Sequence, residues 1–139
     1  RDGAPIPGAT GLKYKVQTAD GGARLSIQVT GSKPGYASVS KVSKTTKMVP
    51  RTKLKTATPT IGGTPQVGST LTAKSSKWTS GTTLTHQWFR SGKKVTDATG
   101  PSYVLTSLDQ GTKITVKITG TKQGYTTVTK TSKPTRKVT

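Results

Sequence analysis

The side chains able to do chemistry in this chain are few. There is one histidine, His86, four carboxylates, Asp2, Asp20, Asp97 and Asp109, and no cysteine, glutamate or asparagine. Every histidine-based relay would have to run through His86, yet that residue falls in phase with Leu84 and Trp88 and reads as a half-buried aromatic on a strand. The aspartates are separated by 18, 77 and 12 positions, each beside a turn, which is a poor basis for a general acid and base pair. Asp109 in Leu-Asp-Gln-Gly, and Asp20 in Ala-Asp-Gly-Gly, read as caps of tight turns. Calcium sites need several carboxylates in one loop, and none has them. Isopeptide crosslinks need an acid beside a Lys and an Asn or Asp, and Glu and Asn are both missing. The stretch 62–69 has neither the spacing nor the following helix of a phosphate loop. The inventory argues against an enzyme, and no catalytic residue, metal or cofactor is expected. Without cysteine there is no disulfide, and the redox compartment stays open.

What the chain does carry is positive charge: 23 lysines and arginines against four acids, a formal net charge of +19. Such a surface attracts polyanions, and nucleic acid, anionic lipid headgroups and the phosphate-rich polymers of a bacterial wall all qualify. Two clusters stand out. Lys41, Lys44, Lys47, Arg51, Lys53 and Lys55 form one, and Lys130, Lys133, Arg136 and Lys137 form the other. Laid out as a strand, residues 41–55 would extend the first cluster over roughly 45 Å. Solvated linker is the plain reading of these lysines, which also keep repeat proteins soluble and guard sheet edges. Binding of an anionic wall polymer such as teichoic acid is the functional reading. Nucleic acid ranks lower, because Tyr36, Tyr125 and Phe89 are too few exposed aromatics to stack bases. Trp78 and Trp88 read as core residues rather than sugar platforms.

The elements that must position these groups emerge from an internal repeat. Shifting the chain by 89 positions aligns residues 1–50 with 90–139 without a gap, and 19 of the 50 pairs are identical. They include Arg1/Arg90, Tyr14/Tyr103, Asp20/Asp109, Gly22/Gly111, Gly31/Gly120 and Gly35/Gly124. A period this long suits a complete small β domain rather than a solenoid unit. Ile114, Val116 and Ile118 alternate with polar residues, as Leu25, Ile27 and Val29 do in the first copy, the pattern of a strand with one buried face. Lys33-Pro34-Gly35-Tyr36 reads as a type II turn; Gln123 replaces the proline in the second copy, while Gly124 is kept. Return strands are expected over 36–44 and 125–133. Residues 56–89 add strands around Leu71 and Ala73 and around Leu84, His86 and Trp88, with a turn at Ser91-Gly92. Apolar residues make up only 28% of the chain and helical periodicity is missing, so small antiparallel β-sandwiches are the expected class. No run of 18 or more apolar residues occurs, and membrane insertion is not expected.

The run from Pro59 to Ser132 resembles the immunoglobulin-like tandem repeats of secreted and surface proteins of high-GC Gram-positive bacteria. The resemblance rests on the strand Trp at 88 with its Gly-turned hairpin, and on Leu105, Asp109 and Gly111 ahead of the penultimate strand. It implies an all-β immunoglobulin-like antiparallel sandwich. It also implies a non-catalytic extracellular module that accompanies an exported enzyme such as a cell-wall hydrolase, at a secreted or cell-surface location. The partners implied are the rest of that parent protein and an anionic wall polymer or polysaccharide. Lys113 and Thr115 stand where a vertebrate-type domain carries its Tyr and Cys, so a tyrosine corner is not carried over.

The expected organisation is the rear half of one repeat over 1–50, a basic linker over 51–55 and a complete repeat over 56–139. Trp78, Trp88, Tyr103, Asp109, Gly111, Gly120 and Gly124 are its expected structural residues. The first copy has no counterparts of Leu71, Trp78 and Trp88, and its inward set (Tyr14, Val16, Leu25, Ile27, Val29 and Val39) is too small to fold alone. Its covering strands then belong to a longer repeat array, come from another chain, or are exchanged between copies. The role expected is spacer and electrostatic envelope attachment; a specific carbohydrate or peptidoglycan site and an assembly protein joined by strand complementation are the alternatives.

Overall fold

Alternating apolar and β-branched polar residues settle about a third of the chain into short strands, and glycines at positive φ turn them. The computed structural model describes residues 1–139, which divide into two units: Arg1–Lys53 with Gln123–Tyr125, and Leu54–Lys122 with Thr126–Thr139. The architecture is almost entirely β, with antiparallel sheets and two single-turn 3-10 helices at Thr18–Asp20 and Ser107–Asp109.

The first unit carries strands β1 (Gln28–Gly31), β2 (Val39–Val42) and β3 (Thr52–Lys53). β1 and β2 form a two-stranded antiparallel sheet from Gln28↔Val42 to Gly31↔Val39. At the connecting turn Gly35 has φ +78°, and the Tyr36 N–H donates to the Lys33 carbonyl at 3.0 Å, as a type II turn requires. Pairing continues past β2 with side chains standing in for backbone: Ser43 and Thr46 hydroxyls accept from Ile27 and Leu25 N–H at 3.1 Å each. Within Arg1–Lys53 only Asp20 and Ala23 are buried.

The second unit holds β4 (Thr60–Gly62), β5 (Thr70–Lys74), β6 (Thr83–Arg90), β7 (Lys93–Lys94), β8 (Ser102–Val104) and β9 (Ile114–Thr121), with β10 (Tyr125–Thr126) and β11 (Val128–Thr131) after it. One sheet has the order β11-β9-β6-β7 and the other β4-β5-β8. Ser91 and Gly92, with φ of 43° and 82°, make the two-residue turn between β6 and β7, where positive φ at both positions matches the twist of the strands. Leu71 from the smaller sheet meets Trp88, Ile114, Val116 and Ile118 from the larger, and Leu105 and Val138 complete the buried core. Leu84 and His86 are half-buried on β6 beside the fully buried Trp88, as their phase predicts.

Hydrogen bonds recur between positions 89 apart. Ile114 and Val116 N–H donate to Thr135 and Ser132 hydroxyls at 3.0 Å, where Leu25 and Ile27 use Thr46 and Ser43. Thr119 and Thr129 hydroxyls bond across β9 and β11 at 2.8 Å, where Thr30 and Ser40 bond across β1 and β2 at 2.7 Å. The difference lies in burial. Ile114, Val116 and Ile118 are fully buried, whereas Ile27 and Val29 are 52% and 61% exposed.

Candidate functional site

Each unit contains one buried carboxylate held in a fixed frame. Asp109 ends the 3-10 turn Ser107–Asp109 and accepts back from the Thr106 N–H at 2.8 Å, which is the turn-capping role its neighbourhood predicts. It does more than cap. Its Oδ1 takes the Arg90 Nε–H at 2.6 Å, and its Oδ2 takes the Tyr103 hydroxyl at 2.8 Å and the Thr106 hydroxyl at 3.0 Å. Arg90 is fixed by its place at the end of β6, Tyr103 by β8, where its ring stacks on Trp88 at 5.8 Å. In the first unit Asp20 takes Arg1 Nε at 2.8 Å, the Tyr14 hydroxyl at 2.9 Å and the Gln17 N–H at 2.7 Å.

Both aspartates are completely shielded from solvent, a costly position for a charge unless it is paired and fully hydrogen-bonded. Burial pushes the Asp109 carboxyl up, but the bonds from Arg90, the Thr106 backbone, Tyr103 and the Thr106 hydroxyl outweigh it and hold the group below the usual carboxylate range. Asp20 is lowered in the same way: burial is opposed by Gln17, Arg1 and Tyr14. Arg90 is correspondingly raised, its bond to Asp109 leading over burial. Tyr103 is also raised, first by burial and then by its bond to Asp109. A carboxylate with both oxygens held by a guanidinium, a tyrosine hydroxyl and a backbone N–H is a structural anchor. His86 has its pKa lowered by burial alone.

These two ion pairs change what the surface presents. With Asp20 and Asp109 sealed inside, Asp2 and Asp97 are the only exposed acidic side chains. Of the cations singled out by sequence, Lys41, Lys44, Lys47, Arg51, Lys53, Lys55, Lys133, Arg136 and Lys137 are all exposed. None of them takes part in either salt bridge. Lys41 lies on β2, Arg51 lies with its guanidinium over Gly22, and Lys53 lies on β3. Residues up to Val49 are still tied to the first sheet, Val49 N–H reaching the Ala23 carbonyl at 2.8 Å, so the first three lysines of the junction sit on an ordered segment. Lys130 differs from the rest. It stands directly across from Ile118, on the core-facing side of β11, and is half-buried there.

All the expected structural residues except Gly124 lie in the second unit. Trp88 is fully buried and donates its indole N–H to the Gly100 carbonyl at 2.9 Å. Trp78 is half-buried, its ring lying against Gly120, where a Cβ would collide with it. Gly111 donates to the Val138 carbonyl at 2.8 Å, and Gly124 has φ +78°, the value Gly35 adopts in the first hairpin. Among the aromatics suggested as stacking platforms, Tyr36 is exposed but has Lys33 Nζ 5.0 Å from its ring centre. Phe89 is half-buried beneath Lys117 Nζ at 4.7 Å, and Tyr125 is half-buried. No helix is long and apolar enough to cross a membrane.

No family model, no curated protein and no solved structure matches this chain.

Proposed function

We propose that the chain is a non-catalytic extracellular module of a larger exported protein, built of immunoglobulin-like repeats, that acts as a spacer and holds its parent at the cell envelope by electrostatic contact. The observation that carries this reading is the surface charge. Two of four acids are consumed in buried ion pairs, and nine of the ten clustered cations stand in solvent without an acidic partner. Such a surface gains affinity for a polyphosphate polymer by releasing its counterions, without any shaped pocket. Supporting the repeat identity are the two-sheet core of the second unit and the hydrogen bonds that recur 89 positions apart. A specific sugar site draws less support, since Trp88 is sealed in the core and Phe89 is half-buried beneath Lys117, which leaves Tyr36 as an isolated exposed ring with Lys33 beside it.

Sedimentation of the chain with purified Gram-positive walls over a salt series tests the proposal, with walls stripped of teichoic acid as the control. Binding should fall steeply between low and physiological salt, where the screening length drops toward about 8 Å, and it should be lost on stripped walls. Binding that persists at high salt, or survives stripping, would replace this reading with a specific carbohydrate or peptidoglycan site.

A further inference from the structure

In the second unit β9 is sandwiched in its sheet: β11 bonds one edge and β6 the other, with Trp88 opposite Val116, His86 opposite Ile118 and Leu84 opposite Gly120. In the first unit β1 has the same return strand in the same register, Lys41 opposite Val29 where Lys130 is opposite Ile118. Its other edge bonds no strand, because the sheet ends there. Leu25 and Ile27 N–H are engaged on the β2 side by Thr46 and Ser43. Alternation along an antiparallel strand therefore sends the N–H groups of Ser26, Gln28 and Thr30 to the open edge. The face beside that edge is apolar and wet: Ile27, Val29 and Val39 are each more than half exposed.

We infer that the open edge of β1 is an acceptor for one further antiparallel strand, supplied by a different polypeptide segment with the alternating pattern of residues 83–89. The second unit is the template for what covers the face. Subtracting 89 from its register places a donor aromatic opposite Ile27, where Trp88 meets Val116, and a half-buried residue opposite Val29, where His86 meets Ile118. A second copy of residues 1–139 cannot saturate the site. Residues 1–139 contain two segments of the accepting kind, 1–50 and 90–139, and one of the donating kind, 56–89, which the second unit already uses. Main-chain bonds along the edge would supply affinity and the alternate side chains would supply selectivity. The inference does not depend on the envelope-binding reading, since pairing along a strand edge is an uncharged mode of contact.

The test adds a synthetic peptide of residues 54–89 to the full chain and follows residue-resolved amide exchange. Saturable one-to-one binding should slow exchange at Ser26, Gln28 and Thr30 by about tenfold or more, with Thr115, Lys117 and Thr119 unchanged. The Val29→Lys chain, altered at a site already exposed to water, should show no such slowing. A shorter peptide of residues 82–90 with lysines added at both ends is a second probe, less prone to self-association, and should reproduce the protection. Absence of protection with both peptides, or equal protection in Val29→Lys, would overturn the inference. So would concentration-dependent dimerisation that protects β1 with no peptide present, since a second copy would then be the occupant.

Discussion

Replacing Asp109 by asparagine changes one atom and removes one charge, and the geometry around it fixes the outcome. Oδ1 faces the Arg90 Nε–H at 2.6 Å, while Oδ2 faces the Thr106 N–H at 2.8 Å and the Tyr103 hydroxyl at 2.8 Å. A hydroxyl can rotate and accept, but a guanidinium N–H and a backbone N–H can only donate. Whichever way the new amide is turned, its NH2 confronts one obligate donor. The guanidinium also loses its counter-charge. Breaking a buried pair costs about 3 to 5 kcal/mol, and Arg90 keeps 26% of its side chain in water, which places the cost near the lower end at about 3 kcal/mol. With a urea dependence of about 1 to 1.5 kcal/mol/M for a domain this size, the unfolding midpoint should fall by roughly 2 to 3 M. Both tryptophans lie in the second unit, and Trp88 stacks on Tyr103, so tryptophan emission is the direct assay. The same experiment has a pH arm. A carboxylate held below its ordinary range stabilises the fold in full above the unfolded value of about 3.9, and the contribution is lost as pH falls through the lower folded value. The wild-type midpoint should therefore hold from pH 7 to 5 and decline below about 4, while the gap to Asp109→Asn narrows on acidification. A midpoint shift under about 0.5 M at pH 7, or a gap that widens in acid, would refute the reasoning.

Two paired substitutions probe the contrast between positions 89 apart. Ile118→Ala removes a fully buried side chain and should cost about 3 kcal/mol, whereas Val29→Ala, at the matching but mostly exposed place, should stay within about 0.5 kcal/mol by calorimetry. Gly120→Ala drives a methyl into the Trp78 ring and should lower Tm by an amount matching about 1 to 3 kcal/mol with altered tryptophan emission. Gly31→Ala, whose Cβ would meet nothing nearer than the Val39 carbonyl at 4.0 Å, should leave both unchanged.

Much of the strand pattern can be read from the residues alone, because a strand with one buried face writes its geometry as alternation. Leu71 and Ala73 face the interior while Thr70, Thr72 and Lys74 face water, and the β6 side chains follow their phase. The two hairpin glycines are legible for a similar reason, since positive φ excludes most other residues. The buried ion pairs are not legible as such. Asp109 beside Gly111 carries an ordinary turn signal, and nothing local says that Arg90, 19 positions earlier, folds back onto it. A faint clue lies in the repeat: Arg, Tyr and Asp are identical at 1/90, 14/103 and 20/109 amid many polar substitutions. The exposure of Lys41 against the half-burial of Lys130 is also invisible locally, because the two residues are the same and only the covering of their sheets differs.

The central structural claim is that β1 presents an open edge where β9 is covered, and native-state hydrogen exchange on the dilute chain measures it residue by residue. The amides of Thr115, Lys117 and Thr119 should exchange slowly, while Ser26, Gln28 and Thr30, at the matching positions, should exchange at close to the rate of an unstructured peptide. Equal protection of the two sets in a concentration-independent monomer would contradict the account.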